Sequence, residues 1–464
     1  MKKSALTILV LQILFIQVDI KADIINVPQD QPGIQQAIDA ASSLDTILLE
    51  PGEYFEHIYW LGKSLTIGSH YLLTGDTTFI SQTIINGGED GRVFDIVNVN
   101  APASINGLVI TKGKARDGAG IRTDSSVISL NHVWIIDCYA SGLDASVGAG
   151  IYAWMSELYA NHFRIDSNLT VCANDNSEGG AICSRYSNLY LSNGQIANNS
   201  ADLGGGISQV YGEAEITNVN FNTNLACCPG GAMVYFSVER LDVTNSVFTA
   251  NDGLGSVLYA DGAQTINFVN CLFTANQIML LHLQNIMIKL INCTFADNFG
   301  PPVWAFSNSS VYAMNSIFYN GLETEFELNN SVDLYIGHCA ITNGLEGING
   351  NPSINTFGPI WEEAPLYAGN GSYKLSDYSQ YIGSGLDSLE TFPHLKAPLF
   401  DMENNPRPMP EGSMPDVGAY ENELGNPLLA IHENELNTFD IYPNPATSKF
   451  IIRCSLLDIQ KSTV

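Results

Sequence analysis

The clearest pattern along this chain is an alternation of apolar and polar positions, broken at intervals by asparagine. Leu241-Asp-Val243-Thr-Asn245 is representative. Its apolar residues fall two apart, the period of a strand with one buried face. Ile216, Val243, Phe268 and Leu290 each stand two residues before such an Asn. A second short segment then begins, with a Phe three residues on: Asn218 to Phe221, Asn245 to Phe248, Asn270 to Phe273 and Asn292 to Phe295. A further Asn often follows, as at Asn224, Asn251, Asn276 and Asn298. Weaker copies start at Asn106, Asn131, Asn161, Asn193 and Asn315, and His338-Cys-Ala-Ile341 reads as a last, degenerate turn. A parallel register repeats glycine before an apolar residue: Gly118-Ala-Gly-Ile121, Gly148-Ala-Gly-Ile151, Gly179-Gly-Ala-Ile182, Gly204-Gly-Gly-Ile207 and Gly230-Gly-Ala-Met233.

Successive Asn markers lie 25, 30, 32, 25, 27, 25, 22 and 23 residues apart, so the repeat tolerates insertions. A period of this size is a solenoid signature, and the absence of a 3.6-residue period excludes helical repeats. Short strands joined by tight turns predict an all-β fold, a right-handed parallel β-helix solenoid. It would have about ten or more coils, stacked at the ~4.8 Å strand spacing. Asn suits a corner that needs left-handed backbone, and stacked amides can bond from coil to coil. Glycine serves another corner where φ is positive or backbones approach closely. On this reading Asn218, Asn245, Asn270 and Asn292 form one structural ladder. Phe221, Phe248, Phe273 and Phe295 form another inside the core.

Composition narrows the function. The chain carries 19 Lys plus Arg against 48 Asp plus Glu, a formal charge of -29. That balance excludes a nucleic-acid partner, which needs clustered cations. Met1-Lys2-Lys3 followed by the apolar run Ala5–Val18 predicts a signal peptide over residues 1–22. The run is short of the ~20 residues of a membrane helix. No transmembrane segment is expected in the mature chain, and a monomer is the expected state. The nine Cys show no C-x2-C pair, so no zinc site is predicted. Cys271 and Cys293 occupy equivalent positions in adjacent coils, where a disulfide or two stacked free thiols would both fit.

The repeat strings, Phe248-Thr-Ala-Asn251 and Gly179-Gly-Ala-Ile182 above all, resemble those of polymorphic outer membrane proteins. More broadly the chain resembles the right-handed parallel β-helix proteins. The helical spacing of Ile34–Ala41, followed by Asp45-Thr-Ile47-Leu-Leu49 and Pro51-Gly52-Glu53-Tyr54, looks like the opening of pectin-lyase-like β-helices. There a short N-terminal helix caps the first coil. The resemblance implies a β-helix over residues 23–350 and a closing segment over 351–424, where Arg407 and Asp416 could pair. After a linker at 425–437, Phe439-Asp-Ile-Tyr442-Pro443-Asn444-Pro445-Ala446 resembles the start of the type IX secretion C-terminal sorting domain. This implies a truncated sorting domain at 438–464, with Tyr442, Pro443, Asn444 and Pro445 as the sorting signal. It also implies the type IX secretion machinery as partner and a secreted or cell-surface location in a Bacteroidota-like Gram-negative bacterium. Phe439–Ile441 and Phe450–Ile452 are the candidate strands there, and residues 436–464 are expected to be poorly ordered because two short strands rarely hold alone.

The fold hosts polysaccharide lyases and glycosidases. A lyase needs a Lys or Arg base, and only Lys112, Lys114, Arg116 and Arg122 cluster. The G-H-G and R-x-K motifs of glycosidases of this fold are missing. No catalytic residue is assigned. Asp117, Asp144, Asp175, Glu178, Asp202 and Asp252 gather before the glycine corner, as an acidic edge or a row that Ca²⁺ could bridge; otherwise no cofactor or metal is expected. The aromatic candidates for stacking on sugars are Tyr59, Trp60, Trp134, Trp154 and Trp304. The resulting expectation is a non-catalytic, adhesin-like surface protein that binds extracellular glycans. A polysaccharide lyase or glycoside hydrolase is the alternative, and a purely structural spacer a third reading.

Overall fold

The computed structural model describes residues 22–143, 145–172, 176–369 and 371–428, together with the strands Phe439–Tyr442 and Ile451–Cys454. Two compact units emerge. The first runs to Leu241 and also contains Thr249–Gln264; the second holds Asp242–Phe248 and the chain from Thr265. Both are parallel β-helix.

In the first unit one sheet stacks Ser104–Thr111, Val127–Ile136, Asn188–Ala197 and Glu213–Asn222, with Glu157–Asn161 and Arg164–Asp166 between the second and third of these. Every pairing is parallel and in register. Ile135, Ile165, Ile196 and Phe221 therefore occupy one buried row. A second sheet aligns Ile121, Ile151, Ile182, Ile207 and Met233, all buried. The corner before this row sets the need for glycine. At Gly179 φ is 64°, and a Cβ there would meet the Ile182 carbonyl oxygen at 2.3 Å. A third sheet of six short strands runs from Lys114–Ala115 to Asp252–Gly253.

The helix spans Ile34–Ala40 and buries Ile34, Ala37 and Ile38. The Glu56 carboxylate accepts the backbone N–H groups of Ile34 and Gln35, both at 2.9 Å, and so satisfies donors orphaned at the helix start. Two further short helices, Tyr71–Thr74 and Thr78–Gln82, interrupt the repeat; the sequence pattern did not anticipate them.

In the second unit Phe248, Phe273, Phe295 and Phe318 stack with centroids 4.5, 4.6 and 4.9 Å apart, all fully buried. Asn218 in the first unit and Asn245, Asn270 and Asn292 in the second have φ between 50° and 55°. Amide bonds join Asn218 to Asn193 and Asn270 to Asn245. A second amide row lies inside. Asn168, Asn199 and Asn224 each donate from Nδ2 to the Oδ1 of the next Asn, at 3.0–3.1 Å. Asn193 and Asn315, two of the weaker markers, also occupy the corner with φ of 52°, and the other three need correction. Asn106, Asn131 and Asn161 sit one residue before the left-handed corner, which Gly107, His132 and His162 occupy instead.

Parallel pairing also continues beyond residue 350, through Ser353–Thr356 and Ile360–Trp361. Ser353–Thr356 is exposed throughout, so no buried face marks it in the sequence. The closing segment then docks on the Asn corners. Asn270 Nδ2 donates to the Phe400 carbonyl, Asn292 Nδ2 to the Asp416 carbonyl and Asn315 Nδ2 to the Leu386 carbonyl. Arg407 pairs with Glu421 at 2.7 Å rather than with Asp416. The Asp416 carboxylate instead accepts the backbone N–H groups of Gly383 and Asn422. Phe439–Tyr442 pairs antiparallel with Ile451–Cys454. Pro443, Asn444 and Pro445, and the rest of the expected ill-ordered tail, lie outside the described residues.

Candidate functional site

The candidate base cluster divides between ion pairs, a ring contact and solvent, and Lys112 and Lys114 line a cavity of about 360 Å³ with Glu89, Asp137 and Tyr139. Arg122 lies among three carboxylates, with Asp124 at 3.1 Å, Asp95 at 3.6 Å and Asp117 at 3.9 Å. Arg92 binds the same Asp95 and Asp117, at 3.3 and 2.8 Å. Lys112 is 4.0 Å from Glu89, and Lys114 lies 5.9 Å over the Tyr139 ring. Arg116 is exposed.

The acidic row is likewise engaged locally. Asp117 holds Arg92, Glu178 holds Arg185 at 2.9 Å, and Asp252 accepts from the Gly253 amide. Asp202 accepts from the Ser177 amide and the Cys227 thiol. Asp144 and Asp175 lie outside the described residues. Among the described residues, no three His, Cys, Asp or Glu side chains gather to hold a metal. Cys271 and Cys293 are free thiols, each 3.4 Å from a backbone carbonyl oxygen, of Val269 and Phe268 respectively.

The aromatic candidates divide. Trp60 is buried and spends its indole N–H on the Lys63 carbonyl. Trp134 packs beneath the Arg164 guanidinium. Tyr59 is exposed. Trp154 meets Tyr186 edge-on at 5.3 Å, and Tyr186 stacks on Tyr211 at 4.9 Å. Trp304, in the second unit, lies beside His282.

A better-built surface lies on the outer face of the first sheet, in the first unit. Tyr159 and Tyr190 are direct partners in adjacent coils, with centroids 4.6 Å apart and planes 9° from parallel. They form one wall of a groove of about 270 Å³, and Asn131 and Asn161 stand on the other. Two-residue periodicity makes this geometry: Tyr159 and Asn161 point outward while Leu158 and Ala160 are buried. The Tyr159 hydroxyl donates to Glu157 at 2.9 Å. Burial, then that hydrogen bond, pushes Tyr159 up to about 12, and burial also raises Tyr190. Both phenols therefore stay protonated in any ordinary medium. Such a wall supplies flat apolar faces. Asn161 Oδ1 already accepts from Ser192 and Asn193, and Asn131 Nδ2 donates to Asn106. The amides therefore offer chiefly the Asn161 Nδ2 donor and the Asn131 Oδ1 acceptor, a combination suited to a sugar ring's C–H face and hydroxyls. A larger groove of about 410 Å³ on the six-stranded sheet is lined by Leu169, Leu225 and Leu254 and contains neither aromatic rings nor amide side chains.

No known family profile matches the chain. It is 30% identical over 167 residues to the metabotropic glutamate receptor-like protein R of Dictyostelium discoideum, a match covering 32% of this chain. The match spans 10% of that relative's length. Among solved structures, the A-module of a mannuronan C-5 epimerase from Azotobacter vinelandii is similar at 12% identity and a TM-score of 0.41, with 72% of this chain and 94% of that one covered. A pectate lyase is similar at 13% identity and a TM-score of 0.42, with 83% and 90% covered. A polysaccharide lyase from Pseudopedobacter saltans is similar at 11% identity and a TM-score of 0.35, with 69% and 90% covered.

The stacked tyrosines escaped the sequence reading, which looked to Tyr59 and four tryptophans. Their signal was spacing: Tyr159 and Tyr190 are 31 residues apart and Tyr186 and Tyr211 are 25 apart, both within the range of the repeat.

Proposed function

We propose that this is a secreted, non-catalytic β-helix protein that binds extracellular glycans through the Tyr159–Tyr190 groove. The observation that carries the reading is the aromatic wall facing a wall of amides on a rigid sheet. The ion-paired state of Arg122 supports a non-catalytic role, because a base held by three carboxylates is a poor proton acceptor. Replacing both Tyr159 and Tyr190 by Ala is expected to weaken binding to glycans retained on an array by about tenfold or more. Circular dichroism should remain that of the parent. Turnover of a polyuronate to new unsaturated ends would replace this reading with a lyase.

Export by the type IX secretion machinery belongs to the same proposal, with the Tyr442–Pro445 motif as the address. Deleting these four residues is expected to leave the protein in the periplasm, read by fractionation of expressing cells. Unchanged release to the surface or medium would reject the motif.

A further inference from the structure

The aromatic rungs of the groove stop partway along it. One outward position of the first sheet is Tyr190, then Tyr159, then Ser129, then Ser104 in successive coils, all in register. The two tyrosine rings are parallel at a distance close to the ~4.8 Å between neighbouring strands, so their planes lie across the stacking direction. One face of Tyr159 is covered by Tyr190. Its other face looks onto the level of Ser129, whose side chain is too short to reach it, and Tyr159 is 38% exposed. Asn131 and Asn161 line the opposite wall at these two levels.

We propose that this missing rung is a sugar subsite. One pyranose ring of a non-acidic glycan lies at the Ser129 level, with its C–H face on Tyr159 and its hydroxyls on the amides of Asn131 and Asn161. The inference rests on the glycan reading above and narrows it to a position and a chemical class. The class follows from charge. Glu157 lies beside Tyr159 and accepts its hydroxyl, and Glu215 is in register with Tyr190. Arg240 is bound to Glu213 at 2.9 Å and to Glu215 at 2.5 Å, leaving these glutamates in net excess. No Lys or Arg lines the groove among the described residues. A uronate or sulfate would face Glu157, Glu213 and Glu215 with Arg240 already bound to two of them, whereas an uncharged sugar meets no such repulsion.

The test builds the rung in protein. Ser129→Tyr places a ring where the sugar would stack, at a partly exposed position that accepts another member of the ladder. Binding of neutral gluco-, xylo- and manno-oligosaccharides, followed by calorimetry, should fall about tenfold or more, with the unfolding midpoint unchanged or raised. Asn131→Ala should weaken the same binding without the added bulk. Neutral-sugar binding that survives Ser129→Tyr but is lost when Tyr159 and Tyr190 are replaced would overturn the subsite and leave the glycan reading standing. Oligomers of alginate or polygalacturonate bound as tightly as neutral ones would overturn the class. Failure of the parent protein to bind any glycan would overturn both.

Discussion

Truncating Phe273 to alanine is expected to cost about 3–5 kcal/mol of stability, the range of large-to-small aromatic changes in a core. The ring is fully buried between two others, with Phe248 at 4.5 Å and Phe295 at 4.6 Å, and Phe268 meets it edge-on at 5.4 Å. The loss has two parts: the apolar area returned to water, and a cavity that the stack cannot close. A neighbouring coil cannot collapse into the gap, because its backbone is held at the strand spacing by the hydrogen bonds pairing Leu272–Thr274 with Thr294–Ala296. In a solenoid each coil is stabilised chiefly by its nearest neighbours, so the damage should centre there. Urea unfolding monitored by circular dichroism measures it. A change below about 1 kcal/mol would place the ring outside the core.

Why the repeat was readable follows from the same residues. A left-handed corner admits few residue types without strain, and a strand buried on one face must alternate. Asn245, Asn270 and the phenylalanines after them therefore carry geometry in their identity. The register faded where other residues met the same demand. His132 and His162 fill the corner with φ of 55° and 51°, so the Asn just before each drew attention in their place. Isoleucine fills the inner row at Ile135, Ile165 and Ile196 before phenylalanine takes over at Phe221. Outward positions carry no such demand. Nothing in backbone geometry requires Tyr159 or Tyr190, and their meaning emerges only when the coils bring residues 31 apart into contact. The closing segment has no period at all. Its contacts, such as Arg407 Nη1 to Asn270 Oδ1, span 137 residues, a separation that no local pattern encodes.

That segment should show the second large effect. Arg407 and Glu421 are paired with no side-chain exposure. The remaining Arg407 partners are neutral, Asn270 Oδ1 at 2.9 Å and the Gly418 carbonyl at 3.2 Å. Glu421→Ala therefore removes the buried guanidinium's ion-pair partner and leaves it only the weaker electrostatic influence of Asp401 and Asp416, and a cost of about 3–5 kcal/mol is expected. Glu421 also accepts the Met409 and Asp416 amides, which would lose their acceptor.

The same cluster sets a pH dependence. Burial first, and Glu421 second, push Asp416 up to about 7. Its folded value lies above the unfolded one, so the protonated form is favoured in the folded state. The contribution is fully present below about pH 4 and is lost as pH rises through about 7, with a limiting slope of roughly 1.4 kcal/mol per pH unit. Asp416→Asn imitates the protonated side chain. Its stability relative to the parent should therefore grow between pH 5 and pH 8, and the gain should shrink in the Glu421→Ala background, where one cause of the shift is gone. Hydrogen exchange at Gly418 reads the effect where it acts, because that amide donates to the Asn315 carbonyl at 2.7 Å. Protection that is independent of pH over this range, or that rises with it in the parent relative to Asp416→Asn, would show that Asp416 is ionised in the folded chain throughout.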